Sequence, residues 1–304
     1  SLLSYNDTWD KIDNMVANIM SAEFRNKMGD SFGGGWIYNW FCTDFVGYEI
    51  NPRRRDMGYH NIYDRYIEFI DKYNAHMDSI HWHAYPMSTY KEAHRGGTSY
   101  VNSPHIHQVL CRRILERNYF PSAYRAGLHA ERPDSNWFLE QWVPFDCSNK
   151  AVEVEDDETG MQNDIKNGKL EDWRRAPNDW SIYNPDFYDY QKRGSCKRYI
   201  SRALNINTRV ANISEFEMKK AFRRADQGRP TFIGVANIDC RDMTKEVDLV
   251  RDLIGKVSKE FPEVKFKFSE VKEAFNAVVH GGKYEKLQLD VDFYQENGVY
   301  NLKV

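Results

Sequence analysis

"SIHWHAYP", residues 79–86, ends a short apolar run with two histidines around a tryptophan and stops at a proline. The run reads as a β-strand near Ser79 to His83. Side chains alternate between the faces of a strand, so His81 and His83 share a face as long as the strand stays regular. Just ahead, Ile62, Tyr66, Phe69 and Ile70 recur at helical spacing. A helix leading into a short apolar strand is the unit that repeats along this chain.

Upstream, Leu2, Leu3 and Tyr5 suggest a strand. Trp9, Ile12, Met15, Val16, Ile19 and Met20 follow at helical spacing, with Asp7 or Thr8 as N-cap, and Trp36 to Phe45 reads as the next strand. Downstream come a helix through Val109 to Leu115, a strand at Ser122 to Arg125, a helix at Asp134 to Gln141 and a strand at Val143 to Asp146. Ser214 and Glu217 form a capping box, and Thr231 to Ala236 is a strong strand. A long helix through Val247 to Val257, a strand at Lys265 to Phe268 and a helix through Val271 to Val278 complete the series.

Seven or eight such units favour a barrel over an open doubly wound sheet. The expected fold is α/β, a deformed (β/α) barrel of about seven strands over residues 1–280. Residues 150–193 interrupt the rhythm with an acidic run and a cluster of aromatics; they are expected to fold over the barrel as an insertion. Residues 281–304 alternate around Asn297-Gly298, which predicts a small C-terminal antiparallel hairpin.

Composition narrows the function. The 304 residues carry a net charge of −3 with mixed signs, which argues against a nucleic-acid partner. No segment is long and apolar enough to predict a membrane span. Five scattered cysteines without a C-x-x-C suit reduced thiols in the cytoplasm. The 8 Trp, 19 Tyr and 17 Phe suit a carbohydrate or nucleotide ligand as well as an ordinary core. Nucleotide-phosphate folds lack their glycine fingerprint here.

A barrel of parallel strands carries its chemistry at the strands' C-terminal ends. Those ends offer Asn6-Asp7, Asp44, His81 and His83, Arg125, Asp146, and Asp239 with Arg241. His129 follows "YRAGL", and Trp180 lies in the aromatic insertion.

A carboxylate after the first strand, a histidine-bearing strand end ahead of a proline, "YRAGLHAERPDSNWFLEQWVPFDCS" and "NIDCRDM" together resemble the polysaccharide deacetylase (NodB-homology) superfamily. The resemblance is to members associated with surface-polysaccharide gene clusters. It implies a carbohydrate substrate and one divalent metal (zinc, nickel or cobalt) that activates water against an acetyl group. Carried over by position, it implies Asp7, His81 and Tyr85 around the metal. It makes Arg125 and Asp239 catalytic; by position alone, His129 joins them as a catalytic candidate and His83, Asp44 and Trp180 as substrate-binding ones.

The sequence departs from the family pattern in three places. Asn6 stands where the family has its aspartate base. Tyr85, ahead of Pro86, stands where it has a second histidine ligand, and Ile238 where a histidine precedes the last aspartate. A second expectation follows, a catalytically silent relative that holds no metal and binds a glycan or a protein partner. A third is a hydrolase with a metal-free site.

Overall fold

The computed structural model describes residues 6–45, 59–85, 99–153, 158–208, 210–283 and 292–303. Six strands form one parallel sheet: β1 (Asn39–Phe45), β2 (Ser79–Tyr85), β3 (Ala123–Tyr124), β4 (Phe145–Asn149), β5 (Tyr199–Asn205) and β6 (Gly234–Ala236). Their order in space is their order in sequence. The helices are α1 (Trp9–Ile19), α2 (Ala22–Arg25), α3 (Tyr59–Lys72), α4 (His105–Arg117), α5 (Pro133–Trp142), α6 (Glu158–Lys166), α7 (Glu215–Asp226), α8 (Met243–Ser258) and α9 (Val271–His280). Parallel strands are joined by right-handed crossovers. When strand order never reverses, every crossover steps the same way and the helices gather on one face. The sheet curls about the other face into a half-barrel.

Strand alternation gives the two faces different neighbours. Trp40, Cys42, Ile80 and Leu204 turn outward and pack with Phe69 of α3, Met218 of α7 and Val247 of α8. Trp82, Ala84 and Tyr124 turn outward onto Leu110 of α4 and Phe138 of α5. Each large apolar side chain buried in this way stabilises the fold by about 1.5–3 kcal/mol. Phe41, Ala123, Cys147 and Ala203 turn inward, against Val271 and Phe275 of α9.

Helix α9 closes one end of the inner face. Phe275 stacks on Phe145 with ring centroids 4.6 Å apart and lies 5.0 Å from Phe232. The N–H of Val271 donates to Asn39 Oδ1 at 2.8 Å, and Ser79 Oγ donates to Glu270 at 2.9 Å. Asn39, Ser79 and Phe145 each begin a strand, so α9 stoppers the N-terminal end of the half-barrel.

The sheet differs from the expected one in two ways. β5 was not foreseen. Lys265 to Phe268 joins no strand; Phe266 and Phe268 instead donate their N–H groups to the side chains of Ser31 and Asp30, and Ser31 donates back to Phe266 O. The expected strand at Leu2 to Tyr5 lies outside the described residues. At α1, Thr8 is the cap and accepts from the Lys11 N–H.

Most of the aromatic insertion packs onto the sheet. Trp173, Ala176, Tyr183 and Tyr190 form a buried cluster with Ala151 and Ile200 of β5. Tyr183 bridges to Ile200 through backbone hydrogen bonds. β7 (Asp292–Glu296) and β8 (Val299–Lys303) pair antiparallel across Asn297-Gly298, both at positive φ as a tight turn requires. No helix among the described residues is long and apolar enough to cross a membrane.

Candidate functional site

Opposite the α9 stopper, at the C-terminal strand ends, the inner face carries a connected polar cluster. On β2, His83 and Tyr85 alternate onto this face. His83 Nδ1 lies 2.8 Å from the carbonyl of Arg125, so it carries the proton and donates. Its Nε2 then accepts from the Tyr85 hydroxyl at 3.2 Å. Arg125 follows β3 and donates from Nη2 to His129 Nε2 at 3.3 Å, while His129 Nδ1 donates to the Ser148 carbonyl at 3.2 Å. These contacts fix the tautomers of both rings.

The local backbone is shaped for this arrangement. Gly127, from "YRAG", lies directly under the Tyr85 ring; a Cβ there would fall 2.3 Å from Tyr85 Cγ. Leu128 and His129 follow in the left-handed region at φ 52° and 56°. Two consecutive non-glycine residues there cost about 1–2 kcal/mol each. The turn is held by Ala126, whose N–H donates to Ser148 Oγ, and by the Trp173 indole, which donates to the His129 carbonyl at 3.0 Å.

Lys150 completes the cluster, and the sequence reading missed it. It directly follows β4, past a register shift between Asp146 and Asn149, and is only 1% exposed. Its ammonium donates to Asn205 Oδ1 at 2.7 Å. Burial pushes the Lys150 pKa well below the ordinary lysine value, and the neighbouring Arg125 and Arg202 push the same way. Burial likewise lowers His129 well below the usual histidine range, with Lys150, Arg125 and His83 adding to it. A lysine immediately after a strand end was the available signal.

Other expected site residues lie elsewhere. Asp7 is largely exposed and pairs with Lys11 at 2.7 Å in the first turn of α1. His81 points to the stoppered end, where its Nε2 is 2.7 Å from Ser79 Oγ and 3.2 Å from Glu270. Burial lowers the His81 pKa. Burial would raise that of Glu270, but the hydrogen bond from His81 and the N–H of Lys272 bring it to about 2. Asp44 faces outward, fully buried, accepting from Trp82 Nε1 at 2.8 Å and Arg113 Nη2 at 2.7 Å. Asp239 accepts from the Tyr66 hydroxyl at 2.6 Å, and Arg241 pairs with Glu246 rather than with Asp239. Trp180 is buried; its indole donates to Glu217, and the Arg202 guanidinium lies 4.4 Å over its ring. Glu131 turns away from His129 into an outer-face network in which Arg198 pairs with Glu131 at 2.9 Å and Asp146 at 2.5 Å.

The expected metal does not fit these residues. Among the described residues, no group of three or more His, Cys, Asp or Glu is placed to hold an ion. Asp7 and His81 are engaged with different partners. The cluster that does form brings Arg125 and Lys150 beside two imidazoles and a phenol, a set whose charge repels a divalent cation.

Comparison with known proteins finds no matching family model, no matching curated protein and no matching solved structure. The geometry of the inner face is therefore the basis for a functional reading.

Proposed function

We propose that this chain is a relative of the polysaccharide deacetylases that keeps the barrel and binds a glycan of surface-polysaccharide synthesis, without metal-assisted hydrolysis of acetyl groups. The proposal includes that family's deformed barrel of about seven strands, with the C-terminal hairpin as an addition to it, and action in the cytoplasm. One observation carries it. Tyr85, at the family's second motif, and Arg125, at its third, join His83 and His129 in a hydrogen-bonded cluster at the strand ends. Parallel barrels bind their ligands at those ends. Imidazole, phenol and guanidinium groups supply directional hydrogen bonds to hydroxyls, and the Tyr85 ring supplies an apolar surface.

The test is calorimetric titration of the full chain with an N-acetylglucosamine oligosaccharide, with EDTA and then with zinc, nickel or cobalt, while acetate is assayed. The expected result is binding in EDTA, weakened at least tenfold by Tyr85→Ala, and no acetate release under any condition. Acetate release on adding a metal would overturn this reading in favour of the hydrolase. Failure to bind any acetylated or acidic oligosaccharide would overturn both.

A further inference from the structure

Among the described residues, Arg125 and Lys150 are cations without an anion. Lys150 is buried and meets only the neutral amide of Asn205. Arg125 meets the neutral ring of His129, and its Nε is buried with no hydrogen-bond partner. The buried arginines on and around the outer face of the sheet are treated differently. Arg113 has Asp44, Arg198 has Glu131 and Asp146, and Arg202 has Glu217 in a two-point pair at 2.5 and 2.6 Å. A buried charge left unpaired costs several kcal/mol, so folds normally neutralise it. Among the described residues, the fold neutralises Arg113, Arg198 and Arg202 on the outer face and leaves the inner-face pair at the strand ends.

We propose that Arg125 and Lys150 form the binding site for an oxyanion, either a phosphate or the carboxylate of an acidic sugar. A guanidinium offers a planar fork of donors and an ammonium a point charge, a pairing that suits a carboxylate or a phosphate oxygen cluster. The strained turn at Leu128 and His129 places the His129 ring as acceptor for Arg125, which orients the guanidinium before any ligand arrives. The acidic-sugar form rests on the glycan reading above; the oxyanion site does not.

Binding has a proton signature. The charged or titratable groups facing Lys150 are Arg125 after β3, Arg202 on β5 and His129, with His83 and Tyr85 of β2 and Cys147 of β4 around Arg125. The two arginines and burial all favour neutral Lys150 in the free protein. An anion beside it favours the ammonium, so binding takes up a proton.

The experiment is calorimetry on the full chain with inorganic phosphate, glucuronate and glucose, each in two buffers of different ionisation enthalpy. Phosphate or glucuronate should bind with proton uptake, and glucose should not compete. Lys150→Met should weaken anion binding at least tenfold while raising the melting temperature of the ligand-free protein, since it removes a buried amine whose only partner is the Asn205 amide. Arg125→Gln should also weaken binding at least tenfold and serves as a second probe should Lys150→Met not fold. Absence of binding by both anions at millimolar concentration would overturn the proposal. So would anion binding that survives both variants without proton uptake. Anion binding through Lys150 with no oligosaccharide bound would keep this site and remove the glycan reading. Neutral oligosaccharide binding indifferent to Lys150→Met, with no anion bound, would do the reverse.

Discussion

Replacing Gly127 with alanine puts a methyl carbon 2.3 Å from Cγ of Tyr85 and 2.5 and 2.6 Å from its two Cδ atoms. Carbon atoms pack at about 3.5–4.0 Å. The ring must therefore retreat by more than about 1 Å. Its edge lies against His83, at a centroid distance of 4.8 Å, and its hydroxyl bonds the same imidazole. Overpacking of this kind costs about 1–3 kcal/mol, and the lost hydrogen bond adds about 1 kcal/mol. Alanine also stiffens the unfolded chain, which offsets about 0.4–1 kcal/mol. The clash outweighs that gain, for a net loss of about 1–3 kcal/mol. At about 2–4 °C per kcal/mol for a chain this large, the melting temperature should fall by roughly 2–12 °C. Scanning calorimetry of Gly127→Ala, Tyr85→Ala and the double variant checks the cause. With the ring gone, the alanine should cost almost nothing, so the double variant should match Tyr85→Ala alone. Additive losses, or a single variant as stable as the parent, would refute the close approach of Tyr85 to residue 127.

Acid should destabilise the fold through His81 and His129. Both are held below the ordinary value, so below about pH 6.5 the unfolded chain binds protons that the fold does not; stability then falls by up to about 1.4 kcal/mol per pH unit for each, and urea titrations from pH 7.5 to 5.0 should show a smaller slope in His81→Gln and His129→Gln. Asp44→Ala should cost about 3–5 kcal/mol in denaturant unfolding, because it strands Arg113 in the outer layer, with ligand affinity unchanged; a large affinity loss with normal stability would return Asp44 to the site. Arg198→Met should destabilise at neutral pH by a similar amount, since Glu131 and Asp146 lose their shared partner, and should recover in acid as Glu131, whose pKa burial pushes up, takes a proton.

Much of the sheet could be read from the chain because its strands are apolar and bounded by turns. β2 and β6 sit within a residue or three of their expected limits, and the helical stripes of α1, α3 and α8 match buried positions. β5 was hidden by Arg202, which interrupts the apolar side of "YISRALN". Its charge became acceptable only through Glu217, fifteen residues later on α7. The same ion pair explains why the capping box is half-formed: Ser214 Oγ accepts from the Glu217 N–H, but the carboxylate is committed to Arg202. Asp44 and Trp180 looked functional because polar or aromatic residues near strand ends and in insertions are what a site uses. Only the pleat, which turns Asp44 outward, and the partner Glu217 show otherwise. His81 and His83 do share a face, as the sequence implied, yet His81 is engaged at the strand starts by Glu270 ahead of α9, while His83 joins the cluster at the strand ends. Lys150 escaped attention because its position depends on the register shift in β4, which no local pattern announces.

The stopper at the strand starts has a consequence for how the chain must assemble. The sheet grows by adding each new strand beside the one just made, an order suited to folding during synthesis. Its floor arrives out of turn: Glu270 meets Ser79 across 191 positions of sequence, and Val271 meets Asn39 across 232. A nascent chain ending before Glu270 would hold the six strands with Phe41, Phe145 and His81 lacking their partners from Glu270 and α9. The inner face is thus finished last at the end whose strands begin it, so the first strands made wait on the far end of the chain for their cover.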